Sequence, residues 1–382
     1  MFPKKLQKRL EERKANNALR QLGIQNNLID FSSNDYLGFS KSEIIFNRTH
    51  EFLVGHNITH NGATGSRLLS GNHPLFNIIE SLLSDFHNSE SALIFNSGYD
   101  ANVGIFSCIP QRGDIILYDE YIHASIRDGI KLSNAKAYKF KHNSLQDLEY
   151  LLERNREVSQ ETNIYIVTES IFSMDGDSPD LKGMAQLCKD HNAYFIIDEA
   201  HAVGVFGERG IGLVQHLELE EDVFARIITF GKAIGTHGAA IIGSDALKQY
   251  LVNFARSFIY TTALTPHTLA NIHAAYHELV LTENRKQLHK NIAHFKSEII
   301  ENGLQNYFIE SDSAIHCCII SGNDTVKLIA QKFQEKGFNI KPILSPTVPK
   351  EQERLRFCLH AFNSEEDISN VLKLLATLHT YG

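Results

Sequence analysis

Three features of this 382-residue sequence predict an α/β protein built on a mostly parallel sheet, followed by a smaller C-terminal α/β domain. Short apolar runs recur from Ala92 onward, and most stretches between them are long enough to hold a helix. Several runs are apolar without alternation, as strands covered on both faces are. After about His267 the pattern changes, and the alternation of helix and strand resumes on a smaller scale. The expected division is residues 1–40 as an N-terminal helix and extended segment, 41–270 as the large domain and 271–382 as the small one.

The elements follow in order. Lys4 to Lys14 is basic, but Glu11 and Glu12 interrupt it, and Leu6, Leu10 and Leu19 make only a thin apolar stripe, so a solvated helix is expected. The runs ALIFNSG, DIILYD, AYKFKHN, NIYIVTES, AYFIIDEA, RIITFGKA and GAAIIGS read as strands. Glycines punctuate Gly55 to Gly71 and Gly204 to Gly243, marking tight turns or close approach of backbone to a ligand. A long polar helix through Lys286 and Lys296 precedes the strand HCCIISGN and a helix near Thr325 to Lys336. KPILSPTVPKEQERLR, with three prolines, reads as an extended loop feeding the strand RFCLHAF, and a last helix starts at Glu365.

Composition excludes several classes of function. Lys plus Arg number 37 against 45 Asp plus Glu, a balance of −8 that does not suit a general nucleic-acid binder. No apolar run reaches about 18 residues and the N-terminus lacks the apolar core of a signal peptide, so neither a membrane span nor export is expected. Five cysteines, an odd number with no CxxC spacing, read as reduced thiols of a cytoplasmic protein rather than as a disulfide or zinc framework.

Open parallel sheets bind ligands beyond the carboxyl ends of their strands. The polar residues expected on that rim are Ser97, Asp119, Glu169, Ser173, Asp198, Thr229 and Lys232. Asp198 ends a buried apolar strand, where a carboxylate must face a cation or several donors. Taken alone it reads as a cap, and Lys232 alone as a solvated loop residue. Together they match a demand of pyridoxal phosphate, which needs a lysine to hold its aldehyde and an acid to partner its ring nitrogen. The strand-to-helix turn Ser97-Gly98-Tyr99 offers amides and a helix dipole to a phosphate, and Thr229 a hydroxyl. His123 is an aromatic able to stack on the ring.

Competing motifs fail. Asp198-Glu199-Ala200-His201 spells a helicase box, but no G-x-x-x-x-G-K-[ST] loop accompanies it. His56 and His60 have a zinc-helix spacing, yet Asn57 stands in place of the glutamate and Gly55 and Thr59 weaken the helix, so no metal is expected. Gly207, Gly210 and Gly212 do not follow the dinucleotide-binding order.

The motifs SSNDYLGFS, GATGSRLLSG, FNSGYDAN, YIHAS, TESIFSMDGD, IIDEAHAVGVFGERG and TFGKAIGTHGAAI, in this order and spacing, resemble the α-oxoamine synthases along nearly the whole chain. The resemblance implies a fold-type-I pyridoxal-phosphate transferase, aspartate-aminotransferase-like, with residues 41–270 holding the cofactor. It implies condensation of an amino acid with an acyl thioester, carried on coenzyme A or an acyl carrier protein, with loss of carbon dioxide. By position, Lys232 matches the lysine that holds the cofactor and Asp198 the partner of its ring nitrogen. His201 and Ser173 match the residues at its 3′-oxygen, and His123 the one stacked on the ring and touching substrate. Gly98, Tyr99 and Thr229 match the phosphate site. Arg356, supported by Asn34, matches the grip on the amino acid carboxylate, and Arg20 and Thr347 match substrate contacts. The resemblance further implies a homodimer with shared active sites, in which Thr261 or Thr262 reaches the neighbour's phosphate. Asp100 and His360 depart from it, standing where small or hydroxylated residues are common.

Overall fold

The computed structural model describes residues 2–20, 22–23, 27–155 and 161–379. It separates into two compact units, one of residues 37–172 and 178–285, the other of residues 1–36, 173–177 and 286–382.

The larger unit is built on a seven-stranded sheet: β1 (Ser91–Phe95), β2 (Ile115–Asp119), β3 (Lys136–Phe140), β4 (Ile164–Glu169), β5 (Tyr194–Asp198), β6 (Ala225–Thr229) and β7 (Ala239–Gly243). Every apolar run expected to be a strand is one. The spatial order is β1-β7-β6-β5-β4-β2-β3, with β3, β2, β4, β5 and β6 parallel and β7 antiparallel to both of its neighbours. Alternate residues of β5 show why the runs are continuous: Phe195 and Ile197 enter one core cluster while Ile196 enters another, so both faces are covered. β3 lies at the edge, and four of its five residues are exposed. Ser97, Asp119, Glu169, Asp198 and Thr229 fall at the carboxyl ends of strands that run the same way.

The smaller unit holds a three-stranded antiparallel sheet in which Arg354–Cys358 lies between Lys341–Ile343 and Ile315–Ile319. Its helices include Lys4–Ala15, with no buried residue, Asn323–Glu335 and Glu365–His379. The proline-rich segment is less irregular than its composition suggests, since its first residues form the edge strand and the strand expected at Arg356 begins already at Arg354.

The units divide at Tyr36/Leu37 and Arg285/Lys286 rather than at the expected 40/41 and 270/271. The reason at the first boundary is local pairing: Ile29–Asp30 lies parallel to Phe338–Asn339, which ties the N-terminal segment to the C-terminal residues. At the second, helix Pro266–Leu281 packs on helices Glu43–Gly55 and Leu75–Phe86 and so stays with the larger unit.

Candidate active site

Asp198 closes β5 and is almost fully buried, and both its oxygens accept hydrogen bonds. Oδ1 takes the Ala200 amide at 2.9 Å, and Oδ2 takes the Asn102 side-chain amide at 2.8 Å. Three residues on, the buried His201 places Nε2 2.6 Å from Lys232 Nζ. The two loops meet because the chain is small where they touch. Gly204 has φ 86°, and a Cβ there would come within 2.5 Å of the Ala233 Cβ. Ala233, next to Lys232, is therefore small for loop packing. Gly231, on the other side, meets nothing closer than 3.7 Å, which is the room beside the amine expected from sequence.

His123 caps helix Ala124–Leu132 through its own imidazole, Nδ1 accepting the Ser125 amide at 3.2 Å. Its main-chain amide donates to Glu169 Oε1 at 2.5 Å. Burial lowers the His123 pKa, opposed by Asp198 and assisted by Lys232. Burial, with Asp198 nearby, pushes the Glu169 carboxyl well above the usual range. Sequence reasoning put Glu169 on the rim without a role; the structure makes it the support of the His123 backbone.

At the end of β1, Ser97 caps helix Gly98–Cys108. Its hydroxyl accepts the Asp100 amide at 3.1 Å and donates to Asp100 Oδ2 at 2.9 Å, so the acidic side chain is folded back onto the cap. The amides of Gly98 and Tyr99 are then the donors at the helix end, with Gly98 beside Thr229. The Thr229 hydroxyl donates to the Gly238 carbonyl at 3.2 Å. Tyr99 is half exposed and its hydroxyl donates to Asp128 at 2.9 Å. Asn96 donates to the Thr261 hydroxyl at 3.0 Å and to the Thr262 carbonyl at 2.7 Å, which draws that loop to the same strand end.

In the smaller unit Arg356 is buried, with Nε donating to the Ser173 carbonyl at 2.7 Å and Nη2 to Asn34 Oδ1 at 3.0 Å. Tyr36 donates to the same Asn34 oxygen at 3.1 Å. Arg354, two residues earlier, is paired with Asp175. Arg356 has no such carboxylate among the described residues, although a buried guanidinium ordinarily demands one. Burial opposes its charge, but Cys358, Tyr36 and Cys317 together outweigh that and raise its pKa. His360 is fully buried and held by Ser33 and Asn363. Arg20 and Thr347 are exposed.

Two polar groups escaped the sequence reading. Asn102 lies four residues after Gly98, one helical turn on, a spacing that by itself singles out nothing. Glu199 pairs side-on with Arg226 at 2.7 and 2.9 Å, both buried, and also accepts the amides of Leu213 and Val214. An arginine inside the apolar run ARIIT was the cue.

A lysine amine, a buried carboxylate, an imidazole and a helix N-terminus grouped at one sheet edge are the donor set that pyridoxal phosphate requires, so the residues fit that cofactor. Residues 26–375 match the model of the family aminotransferase class I and II. The chain belongs to that family and, within it, to the α-oxoamine synthases, pyridoxal-phosphate-dependent acyltransferases. It is 43% identical over 365 residues to the 8-amino-7-oxononanoate synthase of Emericella nidulans, covering 91% of this chain and 89% of that one. Among solved structures it is similar to the 8-amino-7-oxononanoate synthase of Francisella tularensis, with TM-score 0.77, 28% identity and coverage of 94% and 99%. It also resembles a serine palmitoyltransferase variant from S. paucimobilis solved with pyridoxal phosphate and myriocin, with TM-score 0.87, 25% identity and coverage of 99% and 97%. The expected fold type, cofactor and enzyme class therefore stand.

Proposed function

We propose that this enzyme joins L-alanine to a pimeloyl thioester, carried on coenzyme A or an acyl carrier protein, and releases the free thiol, carbon dioxide and 8-amino-7-oxononanoate for biotin synthesis. The observation that carries the reading is the Lys232–His201 contact of 2.6 Å beside the strand-ending Asp198, in a chain 43% identical to a synthase of that name. The segments TFGKAIGTHGAA and SPTVPKEQERLRFCL support the same member of the family.

When bound, pyridoxal phosphate supplies an electron sink for charge at the α-carbon of the amino acid. Lys232 would hold the cofactor by its aldehyde, and its amine would serve as the base that moves the α-proton. Asp198 keeps a proton at the ring nitrogen, while His201 and Ser173 bind the 3′-oxygen. Gly98, Tyr99 and Thr229 bind the phosphate, joined by Thr261 or Thr262 of a second copy in a homodimer. Arg356 and Asn34 take the amino acid carboxylate, and the absence of another carboxylate at Arg356 supports that role. Arg20 and Thr347 contact substrate. His123 stacks on the ring and donates to the thioester oxygen as charge develops there.

Similarity to serine palmitoyltransferase favours a second reading, a sister synthase that uses serine or glycine. Release of thiol from pimeloyl-CoA, measured with L-alanine, glycine and L-serine in turn, separates the two. Turnover with alanine alone is expected; equal or faster turnover with glycine or serine moves the function to the sister enzyme.

A further inference from the structure

Behind the rim runs a chain of buried polar groups that the scheme above does not use. Asn102 Nδ2 donates to Asp198 Oδ2 at 2.8 Å and to Ser125 Oγ at 3.0 Å. Ser125 Oγ lies 2.7 Å from His123 Nδ1, and Asn102 and Ser125 are both buried. From these contacts we infer that Asn102 and Ser125 are positioning residues that fix His123 as the neutral tautomer with its proton on Nε2.

The tautomer follows from which groups can donate. The amide of Asn102 must turn its NH2 toward Asp198, because the alternative sets a carbonyl oxygen against a carboxylate oxygen at 2.8 Å. The same NH2 donates to Ser125 Oγ, which takes one lone pair of that oxygen and leaves the hydroxyl proton available to His123 Nδ1. A second constraint is independent of the first. The main-chain N–H of Ser125 is an obligatory donor and points at His123 Nδ1 from 3.2 Å, so a proton on that nitrogen would oppose it. The main-chain donor holds Nδ1 as an acceptor, and the Ser125 hydroxyl then adds a second bond to it. Neither the imidazolium nor the Nδ1–H tautomer fits, and the ring presents Nε2–H as a donor. The charged and titratable neighbours are Asp198, Lys232 and Asp128, with Glu169 on the His123 backbone.

The cost of the arrangement is visible. Asn102 Oδ1 is buried with no hydrogen-bond partner, the expense of spending the NH2 on both neighbours. The inference rests on the proposed function for its catalytic meaning, since Nε2–H is the donor that the scheme assigns to the thioester oxygen. The tautomer itself is a property of this chain.

The test is nitrogen NMR of protein labelled with 15N-histidine, alone and loaded with pyridoxal phosphate, near neutral pH. A His123→Gln variant identifies the resonances among the 19 histidines. The expected spectrum of the unsubstituted protein has an unprotonated Nδ1 and a protonated Nε2 for His123. Ser125→Ala is expected to raise the Nδ1–H share about two- to tenfold, the range one net hydrogen bond gives, and Ser125→Thr to restore it. A protonated Nδ1 in the unsubstituted protein overturns the inference, and so does a folded Ser125→Ala variant with an unchanged ratio. If Ser125→Ala does not fold, the unsubstituted spectrum alone decides. Failure to bind the cofactor would sink the proposed function and leave the tautomer result standing.

Discussion

In the proposed scheme Lys232 and Arg356 act in opposite ways, one by its amine and one by its charge. Lys232→Ala is expected to lower kcat at least about 100-fold, the smaller end of what general-base catalysis supplies, and to abolish the visible absorbance of bound cofactor. Normal turnover in that variant would contradict the scheme. Arg356→Ala is expected to raise KM for alanine about 10- to 100-fold, as loss of a charge-assisted hydrogen bond does, with a smaller change in kcat. Steady-state kinetics at varied alanine separates these effects. Asp198 and Lys232 were singled out in the sequence because each stands at or just after the end of an apolar run, a position with a physical meaning in a parallel sheet, and His123 only as an aromatic able to stack on a ring. Asn102 was not, since an amide inside a helix signals nothing until the carboxylate it meets, 96 residues away, is brought beside it. His360 was legible as a departure, but its bonds to Ser33 and Asn363 emerge only from pairing across the chain.

Among the elements, the loop after β5 and strand β6 are joined by the buried Glu199–Arg226 pair. Arg226 also donates to the His87 carbonyl at 3.0 Å and the Ile211 carbonyl at 3.1 Å, so all three of its nitrogens are hydrogen-bonded. Removing one partner leaves a buried charge, and Arg226→Met is expected to cost about 3–5 kcal/mol of stability. Replacing both residues with apolar ones should cost clearly less; urea unfolding measures each. The second element-scale expectation concerns pH. His316 in strand Ile315–Ile319 is buried against Phe295, and burial, assisted by Lys296, depresses its pKa to about 3. The unfolded chain takes up that proton at about pH 6.5 and the folded chain resists it. Stability from this site is therefore full above about pH 6.5 and declines as pH falls toward about 3, by up to about 1.4 kcal/mol per pH unit. His316→Phe should flatten that decline, and urea midpoints between those limits check it. The strands were readable from apolar runs alone. The place of residues 1–36 was not, because it depends on two-residue pairing with Phe338–Asn339 that leaves no periodic signal.

At the scale of the whole molecule, no helix among the described residues is long and apolar enough to cross a membrane. None of the five cysteines forms a disulfide. A homodimer predicts a mass of twice 43.1 kDa by light scattering. It further predicts that mixing Lys232→Ala subunits with a Thr261→Ala, Thr262→Ala variant restores part of the lost turnover, because one of the two sites then has all its residues. Monomers of full activity would contradict shared sites. The measurement that tests the central claim most directly follows the carboxyl carbon of L-alanine. With alanine labelled at that carbon, pimeloyl-CoA and pyridoxal phosphate, the account predicts labelled carbon dioxide, free thiol and 8-amino-7-oxononanoate in equal amounts, and none with Lys232→Ala. Thiol release without labelled carbon dioxide, or no release with alanine at all, would contradict it.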